Sequence, residues 1–177
     1  SVGLGINPDT DENIFLLVGS PVASRMGLFE NGNIMLFSPD TGDKLYAIHG
    51  ERDTDHFGQS AVSINDVTGD GYPDFIAGAP GADIDEKANV GRVYLFSGRD
   101  GTVVRTWEGY EENQQFGCTV SAGNDVNGDG VDDIIVGAKG TGDVYWFKID
   151  SFEPYMTLSG PAAEYGGFGE TVSTGGD

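Results

Sequence analysis

The length of 177 residues suits one domain. The formal net charge of −20 argues against nucleic-acid backbones and anionic membranes as partners. No stretch reaches the roughly 18 consecutive apolar residues of a membrane span. The single cysteine, Cys118, excludes an internal disulfide, and we expect its thiol to be buried and unreactive.

An internal repeat organises the chain. The pair Phe57-Gly58 recurs 59 residues later as Phe116-Gly117, and Gly78-Ala79-Pro80 recurs at the same offset as Gly137-Ala138-Lys139. A last Phe168-Gly169 opens a further copy. Such periodicity is typical of architectures built from repeated supersecondary units. The predicted units are 1–56, 57–115, 116–167 and the truncated start of another at 168–177.

Each unit is predicted to contain four short strands. In the second unit we predict strands at about 57–65, 75–77, 92–96 and 103–107, with Gly, Asp, Asn and Pro in the connections. Strand 92–96 is apolar on both faces, so sheets must cover it from both sides. Four strands per unit, stacked face to face, predict an all-β fold of β-propeller blades. A β-sandwich and an open solenoid are the alternatives.

A run of acidic side chains separates the first two strands of the second unit. Oxygen ligands fall on alternate residues of 66–74, and Gly71 permits the positive φ of a sharp turn. Clustered carboxylates repel one another unless a cation joins them, and Ca²⁺ accepts six to eight oxygens in a flexible shell. A polar hairpin turn without metal is the alternative. The predicted ligands are Asp66, Thr68, Asp70, the carbonyl of Tyr72, and Asp74.

The same pattern returns in the third unit, which predicts a second Ca²⁺ site. Its ligands are Asp125, Asn127, Asp129, the carbonyl of Val131, and Asp133. The first unit has a degenerate version at 7–15, with Glu12 in place of the glycine and Phe15 in place of the last aspartate. We do not expect calcium there. Asp177 corresponds to the first ligand of another loop.

These motifs together resemble a known family. Phe-Gly, then Asp-x-(Thr/Asn)-x-Asp-Gly-x-x-Asp, then Gly-Ala-Pro is similar to the FG-GAP repeat of the integrin α-subunit propeller, as seen in its bacterial and marine-type members. The second unit matches fully, whereas the third has Lys139 in place of proline. The resemblance implies a secreted or cell-surface module with structural calcium, about three repeats of a longer propeller.

The long loops and the residue types in the chain indicate a binding function rather than catalysis. The long connections 22–31 and 81–90 lie on the face opposite the metal loops, where similar propellers bind partners. We therefore expect adhesion, or binding of a protein or glycan ligand. A scaffold in a surface or filament assembly, with neighbouring subunits as partners, and an accessory propeller of a secreted polysaccharide lyase or hydrolase are the alternatives. His49 and His56 are the only histidines, and no catalytic set accompanies them, so we do not expect an enzyme.

Overall fold

A computed structural model describes residues 2–5, 15–125, 128, 130–160 and 167–174, with the backbone alone at 2–5, 123 and 124. These residues form twelve strands and no helix, in three antiparallel four-stranded sheets whose strands follow one another in chain order. The all-β class and the four-stranded blades predicted from the repeat are confirmed. Among the described residues, no helix is long and apolar enough to cross a membrane.

The strands are these. Sheet 1 contains β1 (Val2–Gly5), β2 (Phe15–Ser20), β3 (Asn33–Phe37) and β4 (Lys44–His49). Sheet 2 contains β5 (Ala61–Ile64), β6 (Asp74–Ala79), β7 (Arg92–Phe96) and β8 (Val103–Glu108). Sheet 3 contains β9 (Phe116–Asn124), β10 (Asp133–Ala138), β11 (Asp143–Lys148) and β12 (Met156–Ser159).

Sheet 2 is buried on both faces because it lies between the other two sheets. Along β7, Val93 and Leu95 pack into a core cluster shared with sheet 3. Tyr94 and Phe96 point the other way, into a cluster shared with sheet 1. This alternation, read from the sequence, places one hydrophobic core in each interface between neighbouring sheets.

Glycines set the close approach between neighbouring sheets. Gly78 on β6 lies against the backbone carbonyl of Gly117, so a Cβ atom at Gly78 would overlap that oxygen. Gly137 on β10 has the same relation to Gly169. The Phe-Gly motif of one unit thus packs on the Gly-Ala motif of the unit before it, which explains why both motifs recur together.

The predicted first strand of the second unit was wrong at its beginning. The sequence indicated a strand from residue 57, whereas β5 begins at Ala61. Phe57 instead makes an isolated bridge to Gly32 of the preceding unit. Gly58 then takes a φ of 83°, and the N–H of Gln59 donates to the carbonyl of His56 in a turn. The chain therefore turns before it joins its own sheet.

The last described residues lie along β9. The N–H of Thr174 donates to Ser121 Oγ over 3.0 Å, as the N–H of Val120 donates to Ser60 Oγ between sheets 2 and 3. Cys118 on β9 is buried as expected, with its thiol donating to the carbonyls of Gly137 and Gly169. The residue limits of the four predicted units stay a prediction.

Candidate metal centre

The acidic loop of the second unit connects β5 to β6. Two glycines take positive φ in it, Gly69 at 75° and Gly71 at 88°. No atom lies within 4 Å of the place where a Cβ would be at either glycine, so a side chain would cause no steric overlap. Glycine is required there because of the positive φ. The chain can therefore turn tightly enough to bring side chains four and eight residues apart into one site.

Asp66 organises the start of this loop. Its Oδ1 accepts the N–H of Gly69 over 2.7 Å and that of Asp70 over 3.1 Å, and its Oδ2 accepts the N–H of Gly71 over 2.7 Å. Burial opposes ionisation of the carboxyl, but these bonds and one from Thr68 outweigh it, so the pKa of Asp66 lies below its usual value. The carboxylate is thus held ionised by the turn that it closes.

Asp74 ends the loop and begins β6. It is fully buried, with its Oδ2 accepting the N–H groups of Val67 and Thr68, each over 2.9 Å. Its Oδ1 accepts the N–H of Gly98 over 3.1 Å. Burial raises the pKa of Asp74, these three bonds lower it, and the neighbouring Asp70 raises it again, so the pKa is raised overall. A cation beside Asp74 would favour its charged form.

The loop brings three carboxylates to one point. One oxygen from each of Asp66, Asp70 and Asp74 lies within 4.8 Å of the others. The hydroxyl of Thr68 lies between two of them, 3.2 Å from Asp66 Oδ1 and 3.4 Å from Asp74 Oδ1. Tyr72 follows on the same turn, with its N–H donating to Asp70 Oδ1 over 3.0 Å. This donor set consists of oxygens alone, as hard divalent cations prefer.

The loop of the third unit repeats this scaffold where it is described. Asp125 Oδ1 accepts the N–H of Gly128 over 2.6 Å and its Oδ2 that of Gly130 over 2.5 Å, in the places of Gly69 and Gly71. Both glycines again have positive φ. Asp133 begins β10 and is buried, like Asp74 on β6.

Several residues that the sequence singled out lie outside the described part of the chain. Two of them, Asn127 and Asp129, belong to the second loop. Residues 7–14 of the degenerate first loop and Asp177 lie outside it as well, whereas Phe15 is described and begins β2. Val131 is described and follows Gly130 on the loop. The ligand roles of Asn127, Asp129 and the Val131 carbonyl stay a prediction, and so does the expected lack of calcium in the first loop.

A comparison with protein families places both acidic loops within recognised repeats. The family model described as "FG-GAP repeat" matches residues 57–96 and 116–145. These ranges contain the two Phe-Gly motifs, the two acidic loops and the strands on either side of them. The chain carries FG-GAP repeats.

Several integrin α chains are similar in sequence to this chain. Human integrin alpha-11 is 31% identical over 146 residues, which is 75% of this chain and 12% of that protein. Integrin alpha-PS5 of Drosophila melanogaster is 32% identical over 150 residues, 76% of this chain and 15% of that protein. Human integrin alpha-7 is 29% identical over 178 residues, which is 92% of this chain and 14% of that protein. The chain therefore aligns with only about a seventh of the length of these relatives.

Three residues of the FG-GAP site were missed by sequence reasoning. Ser97 donates its hydroxyl to Asp70 Oδ2 over 2.8 Å, and Gly98 donates its N–H to Asp74. Tyr46, from the preceding unit, donates its hydroxyl to the carbonyl of Gly98 over 2.8 Å. These bonds link the acidic loop to the turn after β7 and then to sheet 1. Local spacing gives no signal for them, because the partners lie 24 to 52 residues apart.

Proposed function

We propose that the two acidic loops bind Ca²⁺, one ion in each. The ligands of the first ion are the side chains of Asp66, Thr68, Asp70 and Asp74 and the carbonyl of Tyr72. Those of the second are Asp125, Asn127, Asp129 and Asp133 and the carbonyl of Val131. The observation that carries this proposal is the convergence of three carboxylates within 4.8 Å on a loop built around two left-handed glycines.

The chemistry of the loop favours calcium over other cations. Its donors are carboxylate, hydroxyl and carbonyl oxygens, with no nitrogen or sulfur among the proposed ligands, which disfavours zinc and copper. Magnesium requires a near-ideal octahedron of short bonds and keeps several waters, whereas calcium accepts an irregular shell of longer ones. A loop that supplies five protein ligands from nine residues suits the larger ion.

The role of the ion in this proposal is structural. Asp74 is the first residue of β6, and Asp66 lies two residues after the end of β5. An ion that bridges them would fix the hairpin and offset the repulsion between buried or half-buried carboxylates. Extracellular calcium modules typically bind with dissociation constants of about 10⁻⁴–10⁻³ M. At a few millimolar calcium, each site would then add about 1–2 kcal/mol to stability.

Thermal unfolding of the 177-residue chain with and without chelator tests the calcium proposal. We expect excess chelator to lower the Tm by several degrees, since about 2–4 kcal/mol of linkage is lost over two sites. Calcium added beyond the chelator should restore the Tm, and the same concentration of magnesium should restore little of it. A melt that does not respond to chelator or calcium would contradict the proposal.

We further propose that the module is extracellular and binds a protein or glycan ligand in adhesion. The loops 22–31 and 81–90 support this assignment, because they lie at the end of the sheets opposite the acidic loops. The first exposes Val22, Met26 and Phe29, and the second exposes acidic side chains, among them Asp85 and Glu86. The similarity to integrin α chains supports the same role.

A charge-neutral variant of the second loop tests the adhesion role. Asp85→Asn/Glu86→Gln removes two charges but leaves Asp83, whose Oδ1 accepts the N–H of Asn89 and holds the loop. We expect this variant to lose binding to those immobilised extracellular proteins or glycans that retain the wild-type chain on an array. The matched control, Asp40→Asn/Asp43→Asn, removes two charges from the exposed turn between β3 and β4 at the other end. Equal binding of both variants and wild type would exclude this loop as the ligand surface.

A further inference from the structure

A pocket of about 300 Å³ opens between sheets 2 and 3 at the outer edge of the fold. We call it the rim pocket. Its lining comes from the end of β8 and the segment after it, from the start of β9, from β11 and β12, and from the loop between those last two strands. It shares no residue with the acidic loops. Neither its aromatic lining nor its position was indicated by the repeat.

The inner surface of the rim pocket is aromatic. Phe116, Tyr145 and Phe147 form its floor, all three buried and in contact at ring-centroid distances of 5.6 to 6.3 Å. Tyr110 and Phe152 form the walls and are mostly exposed, at 58% and 68%. Solvent-exposed rings over a buried aromatic floor expose π-electron surface to any group that enters.

A hydrogen-bond network around a buried glutamine holds one wall residue, Tyr110, and one floor residue, Tyr145, in place. Gln114 is fully buried, and its Nε2 donates to the hydroxyl oxygen of Tyr145 over 2.9 Å. Its Oε1 accepts the N–H of Tyr110 over 2.7 Å and that of Glu111 over 3.1 Å. The hydroxyls of Tyr110 and Tyr145 lie 2.9 Å apart. A pocket fixed in advance loses less conformational entropy when a ligand binds.

Carboxylates stand at the mouth of the pocket. Glu153 lines it from the loop between β11 and β12 and is exposed. Glu108 lines it from the end of β8, but Arg92 already pairs with its carboxylate, with the Nε 2.9 Å from Oε1, so Glu153 supplies the carboxylate for a ligand. Aromatic faces combined with carboxylates form the usual environment for an organic cation. The chain's net charge of −20 would attract such a cation over a longer range.

The same corner of the fold already holds a guanidinium. Arg105 on β8 lies with its Cζ 4.4 Å from the ring centroid of Phe152 and 5.9 Å from that of Trp107. Arg105 therefore covers one face of the Phe152 ring in a cation–π contact within the chain. A ligand can therefore use only the opposite face of Phe152, and the carboxylate of Glu153 has to outweigh the positive charge of Arg105.

We propose that the rim pocket binds the side chain of an arginine or lysine from a partner protein. The aromatic floor would cover the aliphatic stem, and the head would lie near Tyr110, Glu108 and Glu153. The volume is at the low end of the range for small-molecule sites, which suits one long side chain better than an oligosaccharide. The exposed carboxylate of Glu153 and the net charge of −20 on the whole chain favour a basic side chain over an apolar one.

Titration of the isotope-labelled chain by NMR tests this assignment. The probes are the blocked amino acid Nα-acetyl-arginine methylamide and its neutral isostere, Nα-acetyl-citrulline methylamide. We expect the arginine probe to shift the amide signals of Glu108, Tyr110 and Thr157, with millimolar affinity, and the citrulline probe to shift them far less. Glu153→Gln should weaken arginine binding about two- to fivefold, the range for an exposed ion pair.

Matched variants distinguish binding in the rim pocket from nonspecific electrostatic attraction to the negatively charged chain. Asp40→Asn removes the same charge from the exposed turn between β3 and β4 in sheet 1, and should leave arginine affinity unchanged. Equal weakening by Asp40→Asn and Glu153→Gln would overturn the proposal, since binding would then follow net charge alone. Equal shifts from the two probes, or the same shifts from a neutral oligosaccharide such as maltotriose, would overturn it as well. So would arginine-induced shifts that lie elsewhere in the chain.

Discussion

Asp74→Asn is expected to lower the free energy of unfolding by about 3 kcal/mol in millimolar calcium. The carboxylate is fully buried and accepts the N–H groups of Val67, Thr68 and Gly98. An amide in its place would turn an NH₂ group toward backbone donors and would remove one charge from the proposed ion. Both effects act on the same side chain, and its full burial leaves no water to replace the lost partners.

Chemical denaturation in calcium and in chelator measures the hydrogen-bond contribution and the calcium contribution of Asp74 separately. In chelator the variant should lose only the hydrogen-bond contribution, so the calcium-dependent difference in stability should fall by about half, because one of the two proposed sites remains. Asp150→Asn is the matched control, since Asp150 is exposed at the end of the sheets where the acidic loops lie. An Asp74→Asn variant with the full calcium response of the wild type would contradict the ligand role of this residue.

Gly78→Ala should destabilise the chain by more than about 3 kcal/mol or prevent it from folding. Gly78 has no positive φ, so an alanine there costs little in local conformation. Its added methyl would instead overlap the carbonyl of Gly117 in the neighbouring sheet. Backbone cannot move aside as a flexible side chain can, so the two sheets would have to separate and expose the core cluster between them.

Gly42→Ala is the control that distinguishes steric overlap from backbone strain. Gly42 has a φ of 74° and no atom within 4 Å of its Cβ position, so only the left-handed conformation is disfavoured. Its expected cost is about 1–2 kcal/mol. Urea denaturation of both variants measures the difference. Equal stabilities would show that the close approach of the sheets is not a constraint on the Gly-Ala motif.

The features that could be predicted from the sequence are those that repeat or alternate locally. The period of two along β7 placed Val93 and Leu95 on one face and Tyr94 on the other, and the structure has them in separate cores. The spacing of aspartates in 66–74 identified side chains that the structure brings together. Both signals lie within nine residues, where backbone geometry alone relates the side chains.

The features that could not be predicted depend on partners far apart in the chain. The position of Phe57 was wrong because its backbone pairs with the previous unit, a choice that its own strand pattern does not encode. The bond from Tyr46 to Gly98 crosses between sheets. The rim pocket likewise combines residues from 108 to 157, whose proximity follows only from the stacking of sheets 2 and 3. Unlike strand alternation, such juxtapositions need the assembled fold.

The most direct test of the central claim is an anomalous difference map from crystals grown in millimolar calcium chloride. The calcium proposal predicts a peak enclosed by Asp66, Asp70 and Asp74, with oxygen ligands at about 2.3–2.6 Å. It predicts a second peak in the loop that begins at Asp125. Well-ordered loops with no anomalous peak, or with a water in the place of the ion, would contradict it.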